Sequence, residues 1–197
     1  MQTLTQTLAQ TPTLSGGFTE APQQSARAFR AVMNVMARPG MIETLDLALP
    51  PAPLSVAAGT LALTLLDHNT PVYLAGKWDC AAVRDWLTFH TSAPFATAEE
   101  ADFAFGDWDA LQPVSAYRIG TPEYPDRSAT LVVEMTALSN TGAILTGPGI
   151  KDSAQLSLPD VAAARANTAL FPLGYDLFLC AGDQLAALPR STKVRTV

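Results

Sequence analysis

One short loop holds several residue types that could bind a phosphate, residues 146–152, with the sequence TGPGIKD. A nucleotide-binding P-loop needs G-x-x-x-x-G-K-[ST], so that successive backbone N–H groups converge on phosphate oxygens. Here the glycine spacing differs, Pro148 removes one N–H donor, and Asp152 stands where a dinucleotide fingerprint has its third glycine. The pattern favours a rigid turn at the end of a strand. The residues of this loop that stay candidates for anion binding are Gly147, Gly149 and Lys151.

Lys151 also raises the question of a lysine-bound cofactor such as pyridoxal phosphate. A Schiff-base lysine needs an apolar setting that lowers its pKa. A lysine in a polar Gly/Pro turn is more often solvated, and the other two lysines, Lys77 and Lys193, have no convincing apolar setting either. The sequence therefore predicts a protein without a cofactor, with a pyridoxal-phosphate enzyme acting through Lys151 as the alternative.

Three residues could perform acid–base chemistry: Asp67, His68 and His90. Either histidine could act as a general base, and Asp67 could orient a neighbouring imidazole. Each histidine also fits the end of a helix, where a cation stabilises the negative end of the helix dipole. No Cys, His or carboxylate partners stand at ligand spacing, so we expect no metal site.

Two arginines, Arg38 in MARPG and Arg190 in LPRST, each stand next to a proline. A guanidinium on a restrained backbone suits a planar anion or a partner's carboxylate, because it binds through two parallel hydrogen bonds. The alternative is a surface arginine that caps loop carbonyls. Both interpretations remain open at the level of sequence.

The composition narrows the classes of function. The chain has 197 residues and a net charge of −6, which lacks the basic footprint of a nucleic-acid-binding protein. Hydrophobic residues make up 48% and charged residues 15%, which indicates a well-filled core and a surface partly covered by a partner. The N-terminus lacks the features of a signal peptide, and no apolar run is long enough to span a bilayer. We expect a cytoplasmic protein with two buried free thiols, Cys80 and Cys180.

The elements that would position these residues alternate along the chain. Residues 1–15 read as a flexible leader and residues 16–197 as one α/β domain, a mixed sheet with flanking helices. A helix at 21–37 carries an apolar stripe (Phe29, Val32, Met33, Met36), and a helix at 79–90 has Asp79 as its expected N-cap. The other predicted helices are 54–66 and 159–169, and the predicted strands are 41–49, 70–76, 101–105, 129–135, 142–146, 174–181 and 185–188.

Read in order, the segments between these elements resemble one family, the PhnH family, which is the H subunit of the bacterial carbon–phosphorus lyase core complex. The pieces with the most specific resemblance are ARAFRAVMNVMARPG at 26–40, LTGPGI at 145–150, FPLGYDLFL at 171–179 and LPRSTKV at 188–194. Further pieces are GGF at 16–18, LALTLLDHNTPVYL at 61–74, WLTFHTSAP at 86–94, ADFAF at 101–105 and GTPEYPDRSATLVV at 120–133.

The resemblance implies a role in phosphonate breakdown. Its core complex joins a phosphonate to the ribose of ATP in place of adenine, before other subunits cleave the C–P bond. The resemblance also implies a fold like the large domain of pyridoxal-phosphate-dependent transferases without the cofactor, a homodimer, and docking on the other core subunits (G, I and J). It supplies no catalytic residue that could be transferred to this chain.

Two hypotheses about function follow. In the first, the chain is an accessory subunit, and any ligand is a phosphonate or nucleotide-like anion near Arg38, Arg190 or the turn at 147–150. In the second, it is a self-sufficient transferase or hydrolase acting on a phosphorylated small molecule. That enzyme would use Asp67 with His68, or His90.

Overall fold

The computed structural model describes residues 14–196, which form four helices and nine strands. The helices are α1 (Ala21–Ala37), α2 (Val56–Leu65), α3 (Ala81–Thr91) and α4 (Val161–Thr168). The strands are β1 (Glu43–Thr44), β2 (Val72–Leu74), β3 (Phe103–Gly106), β4 (Thr130–Glu134), β5 (Ala143–Thr146), β6 (Ala154–Leu156), β7 (Asp176–Ala181), β8 (Gln184–Leu188) and β9 (Lys193–Arg195). The predicted mixed α/β architecture with flanking helices is confirmed.

The main sheet has six strands in the order β1-β8-β7-β4-β3-β2. Strands β2, β3, β4 and β7 are parallel, whereas β8 and β1 run antiparallel to their neighbours. Val132 at the centre of β4 lies opposite Phe105 on one side and Phe178 on the other. Strands covered on both faces must be apolar almost throughout, which explains why β4 reads TLVVE.

Two apolar layers cover the faces of this sheet. On one face α1, α2 and α3 pack against inward side chains that include Phe105, Val132 and Phe178. On the other face lie α4, the loops around Leu111 and Tyr117, and a second, antiparallel sheet of order β6-β5-β9. Within the described residues, no helix has the length and apolar character required to cross a membrane.

Helix α2 is apolar around its whole circumference, as expected for a helix enclosed by protein. Its N-cap is Ser55, whose hydroxyl accepts a hydrogen bond from the backbone N–H of Ala58 at 3.2 Å. In its interior, Thr60 is fully buried and its hydroxyl accepts a bond from the N–H of Ala48 at 3.0 Å. The helix is therefore capped at its start by its own N-cap residue, and its middle is hydrogen-bonded to the loop that contains Ala48.

Helix α1 has the predicted bounds, but the predicted apolar stripe is wrong in part. The residues that pack inward are Ala28, Ala31, Val32 and Val35, so only Val32 of the predicted stripe is buried. Alanines on the inward face allow α1 to approach α2 closely, because they leave little side chain between the two backbones. Phe29 and Met33 are consequently turned outward and lie about half exposed.

The predicted strand at 41–49 is wrong over most of its length, because only Glu43–Thr44 pairs with β8. Beyond that pair, backbone N–H groups bind partners outside the sheet. Leu45 donates to the carbonyl of Asp183 at 2.7 Å, and Leu49 donates to the carbonyl of Gly16 at 2.8 Å. These bonds draw the chain away from the sheet edge.

The predicted N-cap role of Asp79 is also wrong. Helix α3 begins at Ala81 after Cys80, and the Asp79 carboxylate instead forms an ion pair with the Arg84 guanidinium. The sequence also missed two short strands, β6 and β9. Of the predicted leader, residues 1–13 lie outside the described residues.

Candidate functional site

Three loop segments that are far apart in sequence meet at the end of α1. The first contact is made by Gly149, which has φ +79° in the turn after β5. A Cβ atom at this position would lie 1.9 Å from the carbonyl oxygen of Ala37, the last residue of α1. The backbone of the GPGI turn therefore lies directly on the MARPG segment, and only glycine fits there.

The same turn contacts the LPRST segment on its other side. Gly147 adopts φ +135°, and a Cβ there would lie 3.3 Å from the carbonyl oxygen of Ser191. Next to it, Thr146 pairs with Lys193 across β5 and β9. We call the segments 36–40, 146–150 and 188–193 together the motif junction. The structure thus brings Arg38, Gly147, Gly149 and Arg190 into one region.

Within the motif junction, Arg190 is committed to internal partners. Its side chain is 14% exposed, and Nη2 lies 2.5 Å from Oδ2 of Asp176. Its Nε and its backbone N–H both donate to Oδ1 of Asp176, and Nη1 donates to the carbonyl of Pro125 at 2.7 Å. The guanidinium charge is therefore paired within the protein, and the carbonyl-capping interpretation describes part of its role.

Arg38 and Lys151 are less constrained. Both side chains are exposed, and neither forms an ion pair with a described residue. An exposed lysine keeps its charge solvated, which does not favour the Schiff-base alternative for Lys151. Arg38 remains available to a partner or an anion from solution.

A cavity of about 440 Å³ opens beside the motif junction. Its walls include Met36 from α1, Phe171 and Pro172 from the loop after α4, and Pro125 and Pro189. The polar residues around it are Asp126, Asp176, Arg190 and Ser191. Because Arg190 and Asp176 already bind each other, the cavity offers mainly apolar surface to an incoming group.

Asp67 and His68 form a turn after α2. The Oδ1 atom of Asp67 accepts hydrogen bonds from the N–H of Asn69 and the hydroxyl of Thr70, both at 2.8 Å. The first of these bonds is the main cause of the lowered pKa of Asp67. His68 is exposed, and its Nε2 lies 3.0 Å from Nδ2 of Asn69. The carboxylate therefore stabilises the turn and does not orient the imidazole.

His90 lies on α3, where its ring packs between Trp86 and Phe89 with ring centroids 4.9 Å away on each side. Its Nε2 lies 3.1 Å from the carbonyl oxygen of Leu14. Burial lowers the pKa of His90 and so favours the neutral ring, and its Nε2–H donates this bond because a carbonyl oxygen can only accept. The residue holds the start of the described chain against α3.

Sequence reasoning missed a cluster of polar and aromatic side chains at the carboxyl edge of the parallel strands, in which Glu134 is half-buried and Trp78 is buried. Glu134, the last residue of β4, accepts a hydrogen bond at 2.8 Å from the backbone N–H of Ser55 at the start of α2. Burial raises the pKa of Glu134, while the bond from Ser55, the nearby indole N–H of Trp78 and the charge of Lys77 act in the opposite direction. Nζ of Lys77 lies 4.5 Å from the centroid of the Trp78 ring. The sequence feature that could have indicated this cluster is a glutamate at the end of an otherwise apolar strand.

This edge is where open α/β sheets commonly bind ligands. In this protein the carboxylate of Glu134 fills the position at the start of α2 that a ligand anion would take.

Cys180, opposite Glu134 on β7, is fully buried, and burial keeps its thiol pKa well above the usual value, so it is a poor nucleophile. Cys80 is half-buried. In the region from residue 14 to residue 196, no cluster of three or more His, Cys, Asp or Glu side chains could hold a metal.

Comparison with known proteins identifies the family of the chain. The model of the bacterial phosphonate metabolism protein family (PhnH) matches residues 16–195, which contain the whole motif junction. The chain belongs to the PhnH family. The resemblance seen in the sequence is therefore confirmed, and three of the segments on which it rested, MARPG, TGPGI and LPRST, contact one another in the fold.

Two relatives have informative names. The subunit PhnH of alpha-D-ribose 1-methylphosphonate 5-triphosphate synthase from Rhizobium meliloti (strain 1021) is 43% identical over 94% of this chain and 98% of its own length. A protein named as the putative C-P lyase subunit HtxG of Stutzerimonas stutzeri is 30% identical over 89% of this chain and 87% of its own length. Both names describe a subunit of a larger enzyme.

Proposed function

We propose that this chain is an accessory subunit of the assembly that joins a phosphonate to the ribose of ATP before the C–P bond is cleaved. The observation that carries the proposal is the 43% identity, over nearly the full length of both chains, to a subunit named for such a synthase. A match along the whole chain supports a shared role more strongly than one confined to a single segment.

The geometry supports a role without chemistry of its own. Asp67 stabilises a turn through its hydrogen bonds, and His90 is hydrogen-bonded to the carbonyl of Leu14. His68 is exposed without a carboxylate partner among the described residues. At the carboxyl edge of the parallel strands, Glu134 fills the start of α2. The groups that could have formed an active site are thus engaged in the fold or isolated.

Growth on methylphosphonate as the sole phosphorus source tests the proposal. A bacterial strain that lacks this gene should fail to grow on methylphosphonate and should recover when the gene is supplied again. Growth on inorganic phosphate is the control and should be unchanged. Normal growth of the deletion strain on methylphosphonate, in the absence of a second gene of this family, would contradict the proposal.

The proposed partners are a second copy of the chain and the G, I and J subunits of the carbon–phosphorus lyase core complex, in the cytoplasm. The low charged fraction of 15% is consistent with a surface that is partly covered. We also propose that the fold is related to the large domain of pyridoxal-phosphate-dependent transferases and that no cofactor is bound. Light scattering of the isolated chain tests the homodimer, since a monomer mass at micromolar concentration would exclude it.

A ligand, if one binds, is proposed to be a phosphonate or nucleotide-like anion near Arg38, Arg190 or the turn at 147–150, in a cleft at the dimer interface. Arg38 is the most accessible of these cations, because Arg190 is already paired with Asp176. Calorimetric titration with ATP and with methylphosphonate tests this site, and an Arg38→Ala variant should weaken any binding. The absence of heat with both compounds would remove the ligand proposal.

The alternative, a self-sufficient transferase or hydrolase, makes a different prediction. It requires His68 or His90 as a base, so a His68→Ala variant should fail to support growth on methylphosphonate if Asp67 and His68 are the catalytic pair. A pyridoxal-phosphate enzyme acting through Lys151 would show an aldimine absorbance band when the protein is mixed with the cofactor.

A further inference from the structure

The outer face of α1 carries large apolar side chains that the described residues leave about half exposed. Phe29 is 48% exposed and Met33 is 51% exposed. They stand four residues apart, and half-buried Met36 follows three residues later, so all three lie on one side of the helix. In this stripe, Phe29 and Met33 lie outside the inward face of α1, which packs on α2, and Met36 lies at the boundary because it also packs against that core.

The stripe continues into the cavity beside the motif junction. Met36 forms part of that cavity's wall, and across the cavity lies Phe171, which is 58% exposed. Phe29, Met33, Met36 and Phe171 together form what we call the α1 face. Its apolar stripe ends in a cavity of about 440 Å³, enough for a large side chain from another protein.

The charges around the α1 face have one sign along the helix. Residues 21–42 contain Arg27, Arg30 and Arg38 but no Asp or Glu, in a chain whose net charge is −6. On one flank, Arg27 and Arg30 share a cavity of about 200 Å³ with Glu43 and Asp46. None of these four side chains forms an ion pair with a described residue, and Glu43 accepts a hydrogen bond from Asn34 at 3.1 Å.

The other end of the α1 face is also open to a carboxylate. Arg38 is exposed and forms no ion pair with a described residue. The rim of the cavity also carries one negative charge, that of Asp126. A second copy docked α1 against α1 would bring arginines toward arginines with no acidic residue of the helix between them. Like charges across an interface oppose association.

We propose that the α1 face docks a different subunit of the assembly, one that inserts an aromatic or long aliphatic side chain into the cavity and surrounds it with carboxylates. The inference rests on the proposed function, because it identifies the surface by which the accessory subunit joins its assembly. The proposed homodimer then uses another face of the molecule, so the cleft near Arg38 and Arg190 becomes an interface to the other subunit in place of a dimer-interface cleft.

Binding of the purified chain to the purified assembly of the G, I and J subunits tests the inference. Light scattering would measure stoichiometry, and calorimetry would measure the dissociation constant. The test variants are Phe29→Ser with Met33→Ser, and Arg30→Glu with Arg38→Glu. Phe89→Ser is the matched control, because Phe89 is an exposed aromatic residue (60%) on α3.

The expected result is at least about tenfold weaker binding for both double variants and unchanged binding for Phe89→Ser, since buried apolar anchors dominate interface energies. Binding of the unmodified chain should also weaken as salt is raised. Each variant should keep its thermal unfolding midpoint within about 4 °C of the unmodified chain, because the substituted side chains are exposed.

The other outcomes have distinct meanings. If the unmodified chain does not bind the G, I and J subunits, the proposed function and this inference both fail. If the chain binds and the double variants bind equally well, the inference alone fails. If the variants lose self-association and keep binding to the other subunits, a second copy occupies the α1 face and the proposed occupant is wrong.

Discussion

At the carboxyl edge of the parallel strands, the carboxylate of Glu134 accepts a hydrogen bond from Ser55, and the indole of Trp78 lies beside it. At the motif junction, by contrast, Arg190 binds Asp176 and the carbonyl of Pro125, and an open cavity with mainly apolar walls lies beside them. The first region fills the place where an α/β sheet commonly binds its ligand. The second keeps an apolar surface open, although Arg190 and Asp176 at its edge are paired with each other.

This difference bears directly on function. An anion approaching α2 meets a carboxylate already in place, so the usual ligand position offers it no site. A protein side chain approaching the motif junction meets apolar walls and an exposed helix face. The fold therefore keeps the architecture of a ligand-binding α/β protein, while its accessible surface suits contact with another protein.

The largest expected effect concerns the ion pair at the motif junction. Arg190→Ala leaves the carboxylate of Asp176 with little exposure and without its cation, which should lower the free energy of unfolding by about 3–5 kcal/mol. Arg190→Lys should recover only part of this loss, because an ammonium cannot form the same two-pronged bond. Urea denaturation measures both, and Arg38→Ala is the control, with an expected change of at most about 0.5 kcal/mol.

A somewhat smaller effect is expected where the turn meets α1. Gly149→Ala should cost about 3 kcal/mol, because φ is positive there and the new Cβ would meet the carbonyl oxygen of Ala37. Gly182→Ala is the matched control. Gly182 also has positive φ, but a Cβ there meets no atom within 4 Å, so the cost should be about 1 kcal/mol. Equal losses would show that the contact between the turn and α1 adds nothing to stability.

At the carboxyl edge, Glu134→Ala should cost about 2 kcal/mol, because it leaves the N–H of Ser55 without its partner. Glu134→Gln keeps an acceptor oxygen and should cost less. The pKa of Glu134 is raised in the folded state, so the folded state binds a proton there more tightly than the unfolded state does. The stability gained from this protonation is fully present below the ordinary pKa of 4.5 and is lost as the pH rises through the folded value. Denaturation across this range should show that loss in the unmodified chain and a flatter profile in Glu134→Gln.

The sequence predicted those parts of the fold that depend on local pattern. The apolar circumference of α2, the bounds of α1 and the continuous apolar run of β4 follow from residue types alone. The sequence could not show where 41–49 leaves the sheet, because distant carbonyls such as that of Asp183 decide it. The inward face of α1 was misjudged because small alanines, and not the larger Phe29 and Met33, fit against α2.

For the candidate site, the sequence identified the right segments without their relation to one another. MARPG, TGPGI and LPRST were notable separately, but their contact depends on long-range packing such as that of Gly149 on Ala37. The pairing of Arg190 with Asp176 was equally inaccessible, because nothing local marks Asp176 as its partner. Glu134 was overlooked because it stood at the end of a strand otherwise assigned to the core.

The central claim is that the chain serves its assembly through contact and not through its own acid–base groups. The most direct test is the synthesis of the ribosyl phosphonate triphosphate by the reconstituted G, H, I and J subunits, with this chain as the H subunit. The test variant is Asp67→Asn with His68→Ala, which alters side chains on an exposed turn. The account predicts a rate within about twofold of that with the unmodified chain. A loss of about a hundredfold or more, the size expected for removing a general base, would contradict it.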